Sequence, residues 1–178
     1  ASRVAYFLDF DGTLTPVVQR PEDAWLDAGA RAAIENLMLT GALVAIVSGR
    51  PLADLATRAR AGCLYAGNHG LEILTPRGLY VHPEAVAARG ALSRVVAELV
   101  ERTAALQGIR VEDKELTASV HFREAPELEP RVMILVREAV RPFEPRLEIR
   151  EGKMVLEIRP AVPWNKGDAA LFLLQAEA

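Results

Sequence analysis

The chain has 178 residues, 51% hydrophobic and 25% charged, which excludes a disordered protein and allows one real core or two small ones sharing a boundary. A formal net charge of -3 argues against a nucleic-acid partner, which would need a basic face, so a small anionic substrate would need locally placed cations. The single cysteine, Cys63, excludes an internal disulfide, and no apolar run approaches about 18 residues, so a cytoplasmic protein with no membrane partner is expected.

Val4-Ala5-Tyr6-Phe7-Leu8 is a continuous apolar run, as expected of a strand buried on both faces of a parallel sheet, and it ends in Asp9-Phe10-Asp11-Gly12-Thr13-Leu14. Residues 24 to 39 place Leu26, Ala30, Ala33, Ile34, Leu37 and Met38 at helical spacing, with Gly41 as the stop. A second buried strand, Ala42 to Val47, runs into Ser48-Gly49-Arg50. A short helix carrying Leu52, Leu55, Ala56 and Ala59 follows, and then a third strand from Leu64 to Ala66, with Cys63 read as a small buried hydrophobe beside it. Two successive strand-helix-strand crossovers predict an α/β fold with a doubly wound parallel sheet, whose ligands bind at the carboxyl ends of the strands.

From about Tyr80 the pattern changes to helix, two strands, helix, two strands, which predicts an inserted α+β domain over 81–160 within a core of 1–80 and 161–178. Its first helix carries Leu92, Val95, Val96, Leu99, Val100, Thr103 and Leu106, and its second Leu128, Val132, Leu135, Val136 and Val140. The strand pairs are Ile109 to Glu112 with Leu116 to Arg123, and Leu147 to Arg150 with Met154 to Arg159. Helices would cover one face of this sheet. The other, bearing His121, Arg123 and Glu157, is free to act as a lid over a site in the core.

Two carboxylates two residues apart at a strand end repel each other, so Asp9 and Asp11 make sense around a cation. Magnesium is the natural candidate, because the chain offers hard oxygens and no clustered Cys or His set for zinc. One carboxylate can then attack phosphorus while the other protonates the leaving alcohol and later activates water. Ser48-Gly49-Arg50, one strand later and just before a helix, puts a hydroxyl and backbone N–H groups where a phosphate could sit. Of 21 Lys and Arg residues only Lys114, Lys153 and Lys166 are lysines, so each stands out as a point charge that a guanidinium does not replace.

The hexapeptide from Asp9 to Leu14 resembles the first motif of the haloacid-dehalogenase superfamily of phosphatases. That resemblance implies a Rossmann-like core with a cap domain. It would make Asp9 the nucleophile and Asp11 the acid/base, and both of them magnesium ligands, Asp11 through its backbone carbonyl. Ser48 would hold the transferring phosphoryl group and Lys166 would balance charge between Asp9 and phosphate. Gly67-Asn68-His69-Gly70-Leu71-Glu72, then Lys114, His121 and Arg123, then Gly152-Lys153 with Glu157-Ile158-Arg159-Pro160, then Asn165-Lys166-Gly167 are similar in content and order to trehalose-6-phosphate phosphatases. The narrower resemblance implies sugar contacts from Lys153 and Glu157, a cap-side lining of Lys114, His121 and Arg123, and Arg50 and His69 completing the pocket from the core. It implies trehalose 6-phosphate as substrate, with mannosylglycerate phosphate, sucrose phosphate, or a catalytically silent sugar-phosphate-binding module as alternatives. In one respect the sequence departs from the superfamily pattern. A fourth, acidic motif supplying a further magnesium ligand is expected on a strand after the lysine helix, and the sequence stops at Ala178 within that helix, so the expectation is that C-terminal core strands are missing from this sequence and that the first strand forms an exposed edge.

Overall fold

A computed structural model describes residues 4–18 and 20–176, which fall into two compact units. The first comprises Ala1–Val81 with Trp164–Ala178, and the second His82–Pro163.

In the first unit, β1 (Ala5–Leu8), β2 (Leu43–Val47) and β3 (Leu64–Gly67) pair in parallel in the order β1-β2-β3, with Leu8 opposite Ile46 and Val47 opposite Ala66. Helix α1 (Ala28–Leu39) links the first two strands. Its N-terminus is capped by Asp27, whose Oδ1 accepts from the Ala30 amide at 2.7 Å. Helix α2 (Leu52–Ala59) links β2 to β3. Phe10, Ile34, Ile46, Leu55 and Tyr65 form the core on the α1/α2 face of the sheet. Ala45, Ala66 and Ile73 pack on the opposite face against Ala169 and Leu173 of α5 (Lys166–Ala176). The two crossovers run in the same direction along the sheet and so put α1 and α2 on one face, and α5 supplies the helix on the other.

The sheet is nevertheless mixed. After β3 the chain turns back through Asn68–Gly70 into a hairpin of β4 (Glu72–Thr75) and β5 (Gly78–Val81), both antiparallel to their neighbours. Periodicity does not reveal this hairpin, because only Ile73 of β4 is buried while Leu74 and Leu79 face outward. β1 is the edge strand opposite β5, and Tyr6 is 37% exposed, so the run from Val4 to Leu8 is not covered on both faces here. Cys63 is half-buried, and burial pushes its thiol up to about 11. It lines a cavity of about 230 Å³ at the amino ends of β2 and β3, the end of the sheet away from Asp9 and Ser48.

The second unit has one four-stranded antiparallel sheet. β6 (Arg110–Asp113), β7 (Ala118–His121), β9 (Val155–Pro160) and β8 (Leu147–Gly152) lie in that order, so the two expected strand pairs join through β7 and β9. Helices α3 (Pro83–Thr103) and α4 (Glu129–Val140) cover one face, where Leu92, Val95, Leu99, Val132 and Val136 meet Val120, Leu156 and Ile158. Val100 falls outside the buried stripe at 51% exposed, and Leu106 lies beyond the end of α3. Among the described residues, no helix is long and apolar enough to cross a membrane.

Candidate active site

The turn after β1 sorts its residues by polarity. Phe10 is fully buried, which anchors the turn in the core and leaves Asp9 and Asp11 facing outward on either side of it. The turn is closed by the Leu14 and Thr15 amides donating to the Phe10 carbonyl, with Gly12 at a left-handed φ of 80°. Asp9 Oδ1 accepts from the Phe10 amide at 3.0 Å and from Lys166 Nζ at 2.7 Å. Both bonds fall on the same oxygen, so Oδ2 is the one directed to other work.

Lys166 reaches Asp9 because α5 starts where it does. The Asn165 side chain accepts from the Gly167 amide at 2.7 Å and Asp168 Oδ2 accepts from the Asn165 amide at 2.8 Å, a reciprocal cap that sets the first turn. Trp164 Nε1 donates to the Gly70 carbonyl at 2.8 Å and fixes the start of α5 against the turn after β3. Asp168 therefore serves the helix end.

Ser48 follows β2 and is 1% exposed, and its Oγ accepts from the Arg50 amide at 3.2 Å, which leaves the hydroxyl proton to donate. Since β1 and β2 are adjacent and parallel, Asp9 and Ser48 emerge at the same end of the sheet. The loop after β3 is clasped to the loop after β2: the Asn68 amide donates to the Arg50 carbonyl at 2.7 Å and the His69 amide to the Ser48 carbonyl at 2.9 Å. Asn68 and His69 both adopt positive φ, at 46° and 59°. The His69 ring lies so close over Gly49 that a Cβ there would come within 2.7 Å of it. The expected phosphate cradle at the start of α2 is narrower than the sequence suggests, because the Leu52 amide already donates to Glu72 Oε1 at 2.9 Å, which suits the positive end of a helix dipole.

Arg50 is placed differently from its expected role as a substrate ligand. Its side chain is 9% exposed, and its guanidinium is spent on Asp11, Asp54 and the Pro21 carbonyl. Burial alone would lower its pKa, but the hydrogen bonds it donates to Asp11 and Asp54 outweigh this and raise it above the ordinary arginine value.

The polar face of the second unit's sheet gathers several of the expected sugar ligands. His121 Nε2 lies 2.7 Å from Glu112 Oε2, and Lys114 Nζ lies 3.9 Å from the same oxygen. Burial pushes the Glu112 carboxyl up, yet the bond from His121 and the charges of Lys114 and Arg110 carry it below the ordinary carboxylate range. Glu157 stands opposite Ser119 and Arg150 on the same face. Arg123 is exposed just beyond the end of β7, and Lys153 is exposed in the turn between β8 and β9, so neither lies on the sheet. Glu112 stands out by no motif in the sequence. The signal that could have found it is register, since Glu112 pairs with Ser119, two residues from His121 and therefore on its face. Glu148 was missed too: its Oε1 takes Arg150 Nε at 2.8 Å and Arg159 Nε at 2.9 Å.

For a hard divalent cation, the oxygen donors that the resemblance implies are the Asp9 carboxylate and the Asp11 carbonyl, both on the turn after β1. The turn hydrogen bonds fall on the Phe10 carbonyl and leave that of Asp11 aside. Among the described residues no cluster of three His, Cys, Asp or Glu side chains is present. Such a donor set fits magnesium, which is commonly held by one or two carboxylates together with substrate phosphate and water.

A family model for trehalose-phosphatase matches residues 7–177. The chain belongs to the trehalose-phosphatase family. It is similar to the trehalose-phosphate phosphatase of Mycobacterium tuberculosis (strain ATCC 25618 / H37Rv), 39% identical over 178 residues, covering 98% of this chain and 44% of the relative. It is also similar to a probable trehalose-phosphate phosphatase 4 of Oryza sativa subsp. japonica, 35% identical over 181 residues, covering 98% and 48%. The chain thus spans a little under half the length of these curated relatives. Among solved structures, the C-terminal domain of C. albicans trehalose-6-phosphate phosphatase superposes with a TM-score of 0.82 at 24% identity, covering 97% of this chain and 62% of that one. A trehalose-6-phosphate phosphatase related protein gives 0.84 at 24% identity, covering 95% and 72%. These two likenesses show the fold alone.

Proposed function

We propose that this chain carries the phosphoryl-transfer chemistry of a magnesium-dependent phosphatase acting on trehalose 6-phosphate, with Asp9 as the covalent nucleophile. The observation that carries this reading is the convergence of Asp9, Ser48 and Lys166 at one end of the parallel strands, with Lys166 Nζ 2.7 Å from Asp9. Asp9 Oδ2 attacks phosphorus and the bond from phosphorus to the sugar oxygen breaks. Asp11 gives its proton to the departing oxygen, leaving an aspartyl-phosphate and the free sugar. Asp11 then takes a proton from water, whose oxygen attacks phosphorus. The bond to Asp9 breaks and inorganic phosphate leaves. Lys166 offsets the charge that gathers between Asp9 and the phosphoryl group, and Ser48 donates to a phosphoryl oxygen. Magnesium, when bound by the Asp9 carboxylate and the Asp11 carbonyl, supplies further charge neutralisation at the phosphoryl oxygens.

The substrate rests on family membership together with the polar face of the second unit. Glu112, Lys114, His121 and Glu157 supply charged donors and acceptors of the kind that fix a disaccharide's hydroxyls, and His69 is a polar group beside the Ser48 loop. Arg123 and Lys153, both exposed, add two cations to this set.

The test is phosphate release from a panel of sugar phosphates, with magnesium or EDTA, by wild type and Asp9→Asn. Acid-quenched wild type should carry a phosphoryl group on the Asp9 peptide. Release that survives Asp9→Asn or ignores EDTA sinks the covalent metal mechanism. Equal release from unrelated monosaccharide phosphates removes the trehalose assignment, and binding without release overturns the phosphatase reading.

A further inference from the structure

Asp11 has a side chain 46% exposed at the rim of the first unit, where a short carboxylate would ordinarily rotate among several orientations. Here both its oxygens face one guanidinium: Arg50 Nε donates to Oδ2 at 2.8 Å and Nη2 to Oδ1 at 2.7 Å. Arg50 is itself held on its other edge. Nη2 also donates to the Pro21 carbonyl at 2.7 Å, Nη1 to Asp54 Oδ2 at 2.8 Å, and the cation sits 5.4 Å from the centre of the buried Phe10 ring. Behind it, Asp54 Oδ1 accepts from Arg58 Nε at 2.6 Å, and the Arg58 cation lies 4.9 Å from the Trp25 ring centre. Asp11, Arg50, Asp54 and Arg58 thus form a ladder of alternating charge from the catalytic turn to the outer side of α2.

An arginine that binds substrate needs donors directed at the ligand. Arg50 spends four of its five N–H donors on this chain, and its fork matches the plane of one carboxylate, a geometry that fixes orientation as well as charge. Each Asp11 oxygen keeps a second lone pair, where the transferred proton can be carried. We propose that Arg50, braced by Asp54, is a positioning residue that aims the Asp11 carboxyl for proton transfer and does not bind the sugar phosphate. This rests on the phosphatase reading given above, with Asp11 as acid and base.

The test compares two substrates that differ in their need for a proton. Trehalose 6-phosphate releases an alkoxide that must be protonated, whereas p-nitrophenyl phosphate releases a stabilised phenolate that leaves without one. kcat/KM reports the half-reaction up to departure of that group. Arg50→Lys keeps the charge but loses the fork, and Asp54→Asn leaves Arg50 in place with a weaker brace. Both should lower kcat/KM for trehalose 6-phosphate, Arg50→Lys by about 10²-fold and Asp54→Asn by less. KM should stay near the wild-type value, and kcat/KM for p-nitrophenyl phosphate should change less than about threefold, within what proton transfer does not control. A raised KM at unchanged kcat would make Arg50 a substrate ligand and overturn the proposal. An equal fall on both substrates would reduce the ladder to a structural role and overturn it too. Wild type that releases phosphate from neither substrate refutes the phosphatase reading itself. Tryptophan emission, through Trp25 beside Arg58, checks that each variant is folded, and Asp54→Asn carries the test if Arg50→Lys is not.

Discussion

Replacing Gly67 by alanine should destabilise the first unit severely, although Gly67 has an ordinary negative φ of -99°. The reason is close approach. An ideal Cβ at Gly67 would stand 2.5 Å from the Leu52 amide nitrogen and 2.7 Å from Leu52 Cα, where ordinary contact begins at 3.4 Å. The atoms in the way are backbone and have no rotamer by which to escape, so the start of α2 must move by most of an ångström. That displacement strains the packing of Leu52 and Leu55, which are 7% and 0% exposed, and breaks the Leu52 amide bond to Glu72. Overpacking and a lost charge-assisted hydrogen bond together cost about 2–5 kcal/mol. Both tryptophans, Trp25 and Trp164, lie in the first unit, so emission during urea titration reports its unfolding directly. With a urea slope of about 1–3 kcal/mol/M, the midpoint should fall by about 1 M or more. A midpoint within about 0.3 M of wild type at unchanged slope would refute the close-approach reasoning.

Gly90→Ala should act in the opposite direction, because Gly90 sits within α3 with nothing within 4 Å of an added Cβ. It should stabilise the second unit by about 0.5–1 kcal/mol, seen as slower amide exchange across α3, and faster exchange would contradict this. Ile158→Ala removes a fully buried side chain from β9 and should cost about 2–5 kcal/mol, read as lost exchange protection in β7 and β9. Glu112 has a carboxyl held below its ordinary value, chiefly by His121 and Lys114 against the opposing effect of burial. Its stabilisation is therefore complete above the unfolded value of about 4.3 and is lost as pH falls through the lower folded value. The stability gap between wild type and Glu112→Gln should be larger at pH 7 than in acid, and an equal gap at both would count against the ion pair.

Much of the first unit could be read along the chain because its signals are local. Apolar runs ending in Asp9 and Ser48, helical spacing through Ile34 and Leu55, and the two crossovers between them dictate parallel neighbours and put both residues at one end of the sheet. The alternation of Val120 with His121 and of Ile158 with Glu157 likewise marks a sheet with one apolar and one polar face. Tertiary structure alone decided the partners. The β4–β5 hairpin escaped notice because its strands are short and bury little. Glu112 escaped because its meaning comes from the strand beside it. Arg50 is the plainest instance. Its place after Ser48 suits a phosphate ligand, but the direction of a long guanidinium depends on what surrounds it, and Asp11, 39 residues away in sequence, together with Asp54 on the next helix, turns it inward.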